Sequence, residues 1–254
     1  MKQPVVVIGL GEMGGVFSRG LLRAGHPVFP VLRESDLGTA VAAVPEPLMV
    51  VVAVAEGDLH PALDALPEPW RERLVLLQNE LLPRDWQAHG LTDPTVVAVW
   101  FEKKKGMDHK VIVPSPAYGP HAKVLEDALG RLDIPVQVLA DGEELVYELV
   151  RKNLYILTTN IAGLITGGTV GELWAQHQDL AREVAGEITD IQTALTGTEF
   201  DRERLIQGML TAFDADPEHQ CTGRSAPARL QRALAYADEF GLGVPKLREI
   251  AGSV

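Results

Sequence analysis

The stretch that decides the reading of this chain is Val5-Val6-Val7-Ile8-Gly9-Leu10-Gly11-Glu12-Met13-Gly14. Four consecutive β-branched residues, Val5 to Ile8, predict a buried strand. The strand stops at Gly9, and a helical stretch follows from Gly15 to Ala24. A strand, a Gly-x-Gly-x-x-Gly turn and a helix in that order make a dinucleotide-binding fingerprint. Gly9 allows the tight bend, Gly11 lets the backbone approach a pyrophosphate, and Gly14 lets the helix pack close on the strand. The backbone of Gly9, Leu10, Gly11, Glu12, Met13 and Gly14 is the expected cradle, because a helix N-terminus offers free N–H groups and a positive dipole end. The alternative is an ordinary glycine-rich turn between strand and helix.

Composition narrows the partners. The 254 residues, 46% of them hydrophobic, suffice for one large domain or two modest ones. A formal net charge of −12 disfavours nucleic acid and anionic membrane, since phosphates would be repelled. Cys221 is the single cysteine, so no intrachain disulfide forms and a reducing, cytoplasmic setting fits. It has no His/Cys cluster around it, so no metal site is expected. The apolar run after Pro4 is too short to span a membrane and has no signal-peptide character.

Taken in order, the chain first alternates strands and helices. Val28 to Leu32 predicts a second strand, and Arg33 follows it, nineteen residues beyond Gly14. An acidic residue at that place would hold the ribose 2′-OH of NAD, whereas an arginine accommodates the 2′-phosphate of NADP. Arg33 therefore points to NADPH, although Glu34 beside it leaves open a solvated charge pair at a strand end. Leu48 to Val54 and Leu74 to Leu77 are apolar runs of the kind buried in parallel sheets. Asn79 follows the second of them, at the carboxyl end where doubly wound sheets bind ligands. A plain turn asparagine is the other reading.

Thr95 to Phe101 and Lys110 to Val113 predict further strands, Pro114 to Pro120 a rigid loop, His121 to Leu132 a helix and Val136 to Leu139 a last strand. Between the first two lies the basic run Lys103-Lys104-Lys105, read as a solvated loop tip with a phosphate contact as the lesser alternative. Beyond Gly142 the periodicity becomes helical, with helices over 143–164, 178–195, 202–212, 227–240 and 245–251. The expected organisation is α/β: a Rossmann-like doubly wound domain over 1–141, then an all-helical domain over 142–254 for substrate and dimerisation.

At about 100° per residue, Leu145, Leu149, Lys152 and Ile156 share one helix face. Lysine is almost never buried unless it is paired or used. A buried ammonium loses its proton more readily, which suits general acid–base work. Snorkelling at the margin of the stripe is the alternative. Asn160 lies eight residues on, about 12 Å further along the same helix.

These residues together resemble the ketopantoate reductases: Glu148-Leu149-Val150-Arg151-Lys152, Asn160, Gly171-Glu172-Leu173 and Gly241-Leu242-Gly243-Val244-Pro245, with the glycine turn, Arg33 and Gln78-Asn79. The resemblance implies an NADPH-dependent reduction of 2-dehydropantoate to pantoate, with catalysis in a cleft between a Rossmann domain and a helical domain. It implies that Lys152 is the proton donor, that Asn79 stands at the nicotinamide end and that Asn160 holds substrate. Arg224 and Ser225 are further candidates for substrate binding, Arg224 through a carboxylate. The chain departs from the family pattern at Glu80, where a glycine is usual, and at Ile156, where an asparagine is usual. It departs again over Thr222 to Pro227, which lacks the family's carboxylate. Other expectations are a small 2-oxo acid as substrate and a homodimer. The alternatives are a different carbonyl or imine substrate, or a non-catalytic NADP(H)-binding protein.

Overall fold

The computed structural model describes residues 2–253, and the chain divides into two compact units, Met1–Leu145 and Val146–Val254. The division falls inside a long helix, one turn beyond the Asp141-Gly142 turn.

In the first unit the elements run β1 (Val5–Ile8), α1 (Glu12–Arg23), β2 (Val28–Val31), α2 (Leu37–Ala43), β3 (Val50–Val52), α3 (Leu59–Asp64), β4 (Leu74–Leu76) and α4 (Pro83–Gln87). They continue with β5 (Thr95–Val97), β6 (Phe101–Lys103), β7 (His109–Val111), β8 (Ser115–Tyr118), α5 (Ala122–Gly130) and β9 (Val136–Val138). A seven-stranded sheet has the order β2-β1-β3-β4-β5-β8-β9. Its neighbours are parallel except β5 and β8. β6 and β7 form a separate antiparallel hairpin in which Lys103 opposes His109.

Burial explains the apolar runs. Val5, Val7, Val51, Val75 and Val97 pack into one cluster with Phe17 and Leu21 of α1 and Leu125 and Leu129 of α5. β1 lies between β2 and β3, so the winding reverses there, and the crevice outside the carboxyl ends of β1 and β3 is the place where such sheets take ligands.

Two sequence expectations are corrected. The span Thr95 to Phe101 is not one strand: the backbone N–H of Trp100 donates to Oγ of Ser115 at 2.9 Å, and the chain leaves the sheet for the hairpin. The span 114–120 is not simply a loop but contains β8. Proline disrupts a strand only where the ladder needs its missing N–H. The Pro116 carbonyl does take part, accepting from the N–H of Ala98 at 2.9 Å.

α6 (Gly142–Thr166) carries the chain into the second unit. There follow α7 (Val170–Gln176), α8 (Gln178–Thr196), α9 (Arg202–Ala215), α10 (Ala226–Glu239) and α11 (Pro245–Ala251). α8 packs against α7, α9, α10 and α11. A buried amide pair, Asn153 Nδ2 to Gln192 Oε1 at 3.0 Å, fastens α6 to α8. Arg151 fastens α6 to α9 by donating to the Gly208 carbonyl at 3.2 Å. Gly171-Glu172-Leu173 opens α7, whose Thr169 N-cap and Glu172 form a reciprocal capping box. Among the described residues no helix is long and apolar enough to cross a membrane.

Candidate functional site

The glycine turn sits at the reversal of the sheet. Gly9 has φ +89°, a left-handed value that favours glycine, and a Cβ there would lie 2.8 Å from the Ala53 carbonyl oxygen. A Cβ on Gly14 would lie 1.9 Å from the Gly9 carbonyl oxygen. Both glycines are demanded by the fold itself. Gly11 is different: a Cβ there meets nothing within 4 Å, and its backbone is extended at φ −69° and ψ −166°. Gly11 is the N-cap of α1 and supplies no side-chain cap to the first-turn N–H groups. Open space above an uncapped, twelve-residue helix at a sheet reversal fits a dinucleotide diphosphate.

The flanking candidates lie at the carboxyl ends of neighbouring strands. Arg33 follows β2, its side chain 87% exposed and 3.1 Å from Asp58 Oδ2. Asn79 is half-buried beyond β4. Before it, Gln78 is buried, and its Nε2 donates to the carbonyls of Val52 at 2.7 Å and Val54 at 3.3 Å, which tethers the end of β3 to the end of β4. Glu80 adopts φ +59°, the left-handed conformation for which glycine is the ordinary solution.

The basic run belongs to the hairpin. Lys103 Nζ lies 2.9 Å from Glu12 Oε2 in the first turn of α1, and the lysine side chain is 16% exposed. Further along α1, Arg19 Nη2 reaches Asp108 Oδ1 at 3.2 Å. The His109 N–H and the Arg19 guanidinium lower the Asp108 carboxyl to a pKa of about 2.

On α6, Lys152 is buried at 5% exposure, and Leu145, Leu149 and Ile156 of its expected stripe are buried as well. Asn160 is half-buried. Its Oδ1 accepts from Arg229 Nη1 at 2.8 Å and its Nδ2 donates to the Cys221 carbonyl at 3.2 Å. A Cβ on Gly163, one helical turn on, would lie 2.6 Å from Cys221 Cβ, so this segment runs tight against α6. Burial, reinforced by the Glu172 charge, raises the Cys221 thiol to about 11. Arg224 and Ser225 are exposed at the start of α10.

The structure thus gathers the glycine turn at the ends of β1 and β3, and, in the second unit, Asn160 of α6 with Arg229 of α10 and the Cys221 carbonyl that precedes α10. Three features escaped the sequence reading. Arg229 is 9% exposed on α10, and its signal would have been an arginine in the apolar helix stripe with Ala226, Leu230 and Ala233. Asn153 has a signal only in its partner Gln192, thirty-nine residues away. The Lys103–Glu12 pair has no local signal. Among the described residues, no group of three or more His, Cys, Asp or Glu side chains is placed to hold a metal ion.

No family model matches the sequence, and no curated protein does. Solved structures do match the fold along nearly the whole chain. The 2-dehydropantoate 2-reductase from Methylococcus capsulatus is 14% identical, with a TM-score of 0.72 over 98% of this chain and 94% of that one. A dimeric ketopantoate reductase from Staphylococcus aureus is 14% identical, with a TM-score of 0.69 over 98% and 96%. A D-mandelate dehydrogenase solved with NADH is 12% identical, with a TM-score of 0.69 over the same shares. What the chain has in common with these proteins is the fold, an α/β unit with a Rossmann-like sheet followed by a helical unit.

Proposed function

We propose that this protein is a nicotinamide-dinucleotide-dependent reductase of a 2-oxo acid, with NADPH as cofactor and 2-dehydropantoate as the first substrate to try. The observation that carries the reading is Gly11: nothing in the protein requires a glycine there, and the space above it is open. The cradle residues Gly9, Leu10, Gly11, Glu12, Met13 and Gly14 hold the diphosphate through backbone N–H groups. Arg33, exposed at the end of β2, meets the 2′-phosphate. Asn79 serves the nicotinamide end. The bound cofactor supplies the hydride. Lys152, buried on α6, supplies the proton to the substrate oxygen. Asn160 orients the substrate, and Arg224 and Ser225 are further substrate-binding residues in this reading. A homodimer is part of the same proposal, supported by the dimeric relative in fold.

A second reading keeps the cofactor and Lys152 and changes the substrate. It is favoured by Arg229: residues 222–227 hold no carboxylate, and the charged group bonded to Asn160 is a cation. The test of both is NADPH oxidation with 2-dehydropantoate beside other 2-oxo acids, for the wild type and Lys152→Met.

A further inference from the structure

The two ends of the Lys103–Glu12 pair have opposite consequences for an incoming phosphate. Glu12 directly follows the Gly11 N-cap, in the first turn of α1. A carboxylate there suits the helix, because it meets the positive dipole end. A diphosphate seeks the same dipole and the same N–H groups, and a carboxylate beside it is a like charge. In a chain of net charge −12, the general field offers no relief.

The hairpin supplies a cation at that spot and holds it there. Lys103 Nζ is 2.9 Å from Glu12 Oε2 and also donates to the Lys104 carbonyl at 2.8 Å. Lys104 turns instead to Glu102, 3.1 Å away within the hairpin. The hairpin is itself anchored on α1, by Arg19 with Asp108 and by the Phe17 and Phe101 rings, whose centroids are 6.3 Å apart. Glu12 and Arg19 are seven residues apart, on one helix face and about 10.5 Å apart along the axis. Lys103 and His109 oppose each other across the hairpin, and Arg19 Nη2 lies 3.1 Å from His109 Nδ1. One hairpin therefore grips one face of α1 at two places, and the grip nearer the cradle is the lysine.

We propose that Lys103 is a positioning residue for the dinucleotide: by neutralising Glu12 it makes the first turn of α1 receptive to the cofactor phosphates. The inference rests on the dinucleotide reading above. Its distinguishing feature is that Lys103 acts through Glu12, so the loss of Lys103 matters only while the carboxylate is present.

The test is a fluorescence titration of NADPH and NADH against wild type, Lys103→Met, Lys103→Arg, Glu12→Gln and the double variant Glu12→Gln/Lys103→Met, with a thermal melt of each. Lys103→Met is expected to raise Kd about tenfold, the effect of an exposed like charge close to the phosphates. Lys103→Arg is expected to retain the wild-type Kd, and the double variant to return to within about threefold of it. Melts identify a lost hairpin, which Glu12→Gln has no means of restoring. An unchanged Kd in Lys103→Met overturns the proposal, and so does a double variant as weak as the single one. If the wild type binds neither NADPH nor NADH, the dinucleotide reading falls and the role of Lys103 falls with it.

Discussion

Nη1 of Arg229, buried on α10, donates a 2.8 Å hydrogen bond to Oδ1 of Asn160 on α6. The same amide donates to the Cys221 carbonyl at 3.2 Å, so one side chain ties two later segments of the unit to α6. Removing it strips a charged donor and a carbonyl of a partner at once. Asn160→Ala is expected to cost about 1–3 kcal/mol, the range for breaking such bonds in a shielded place. A thermal or denaturant melt checks this, and an unchanged midpoint would show that these two bonds add nothing to stability.

The three glycines of the turn separate folding from binding. A Cβ on Gly14 would collide with the Gly9 carbonyl at 1.9 Å, whereas one on Gly11 meets nothing within 4 Å. Gly14→Ala is expected to destabilise the first unit severely and to give little folded protein. Gly11→Ala is expected to melt like the wild type and to bind NADPH at least tenfold more weakly, because its methyl stands where the backbone meets the diphosphate. Circular dichroism and NADPH titration of both variants decide the matter.

Glu80 tests the backbone alone. Its φ of +59° disfavours every residue with a Cβ relative to glycine. Glu80→Gly and Glu80→Ala lose the same carboxylate, so their difference isolates the conformation. The glycine variant is expected to be more stable by about 1 kcal/mol. Equal denaturant midpoints would show that the loop relaxes out of the left-handed region.

Much of this architecture was legible in the sequence because it depends on local chemistry. Val5 to Ile8, the glycine spacing and the apolar runs at 50–52 and 74–76 specify buried parallel strands and the turn between them. The Lys152 stripe was equally legible, since helical periodicity alone puts that lysine among Leu149 and Ile156. What escaped was set by distant partners. β8 runs through Pro116 because Ser115 and Ala117 find neighbours on β9. The partners of Asn160 stand sixty-one and sixty-nine residues further along the chain. The basic run reads as a solvated tip until the hairpin lays Lys103 on Glu12.

Cys221 is buried, and its thiol is raised to about 11, first by burial and then by the Glu172 charge. Only the thiolate reacts, so at pH 8 the native thiol is almost wholly protonated and shielded. Iodoacetamide is expected to leave native Cys221 intact and to alkylate it rapidly in denaturant, with mass spectrometry as the readout. Labelling of the native protein at the rate of a free thiol would contradict the packing of Cys221 against α6.

The most direct measurement of the central claim is NADPH oxidation with 2-dehydropantoate and a panel of other 2-oxo acids, for wild type and Lys152→Met together. The expected result is turnover of at least one of these acids. Lys152→Met is expected to slow it about 10²- to 10⁴-fold, the usual worth of a general acid, with NADPH still bound. The acid turned over fastest names the substrate class. Tight NADPH binding without turnover of any acid, or full turnover by Lys152→Met, would contradict the account.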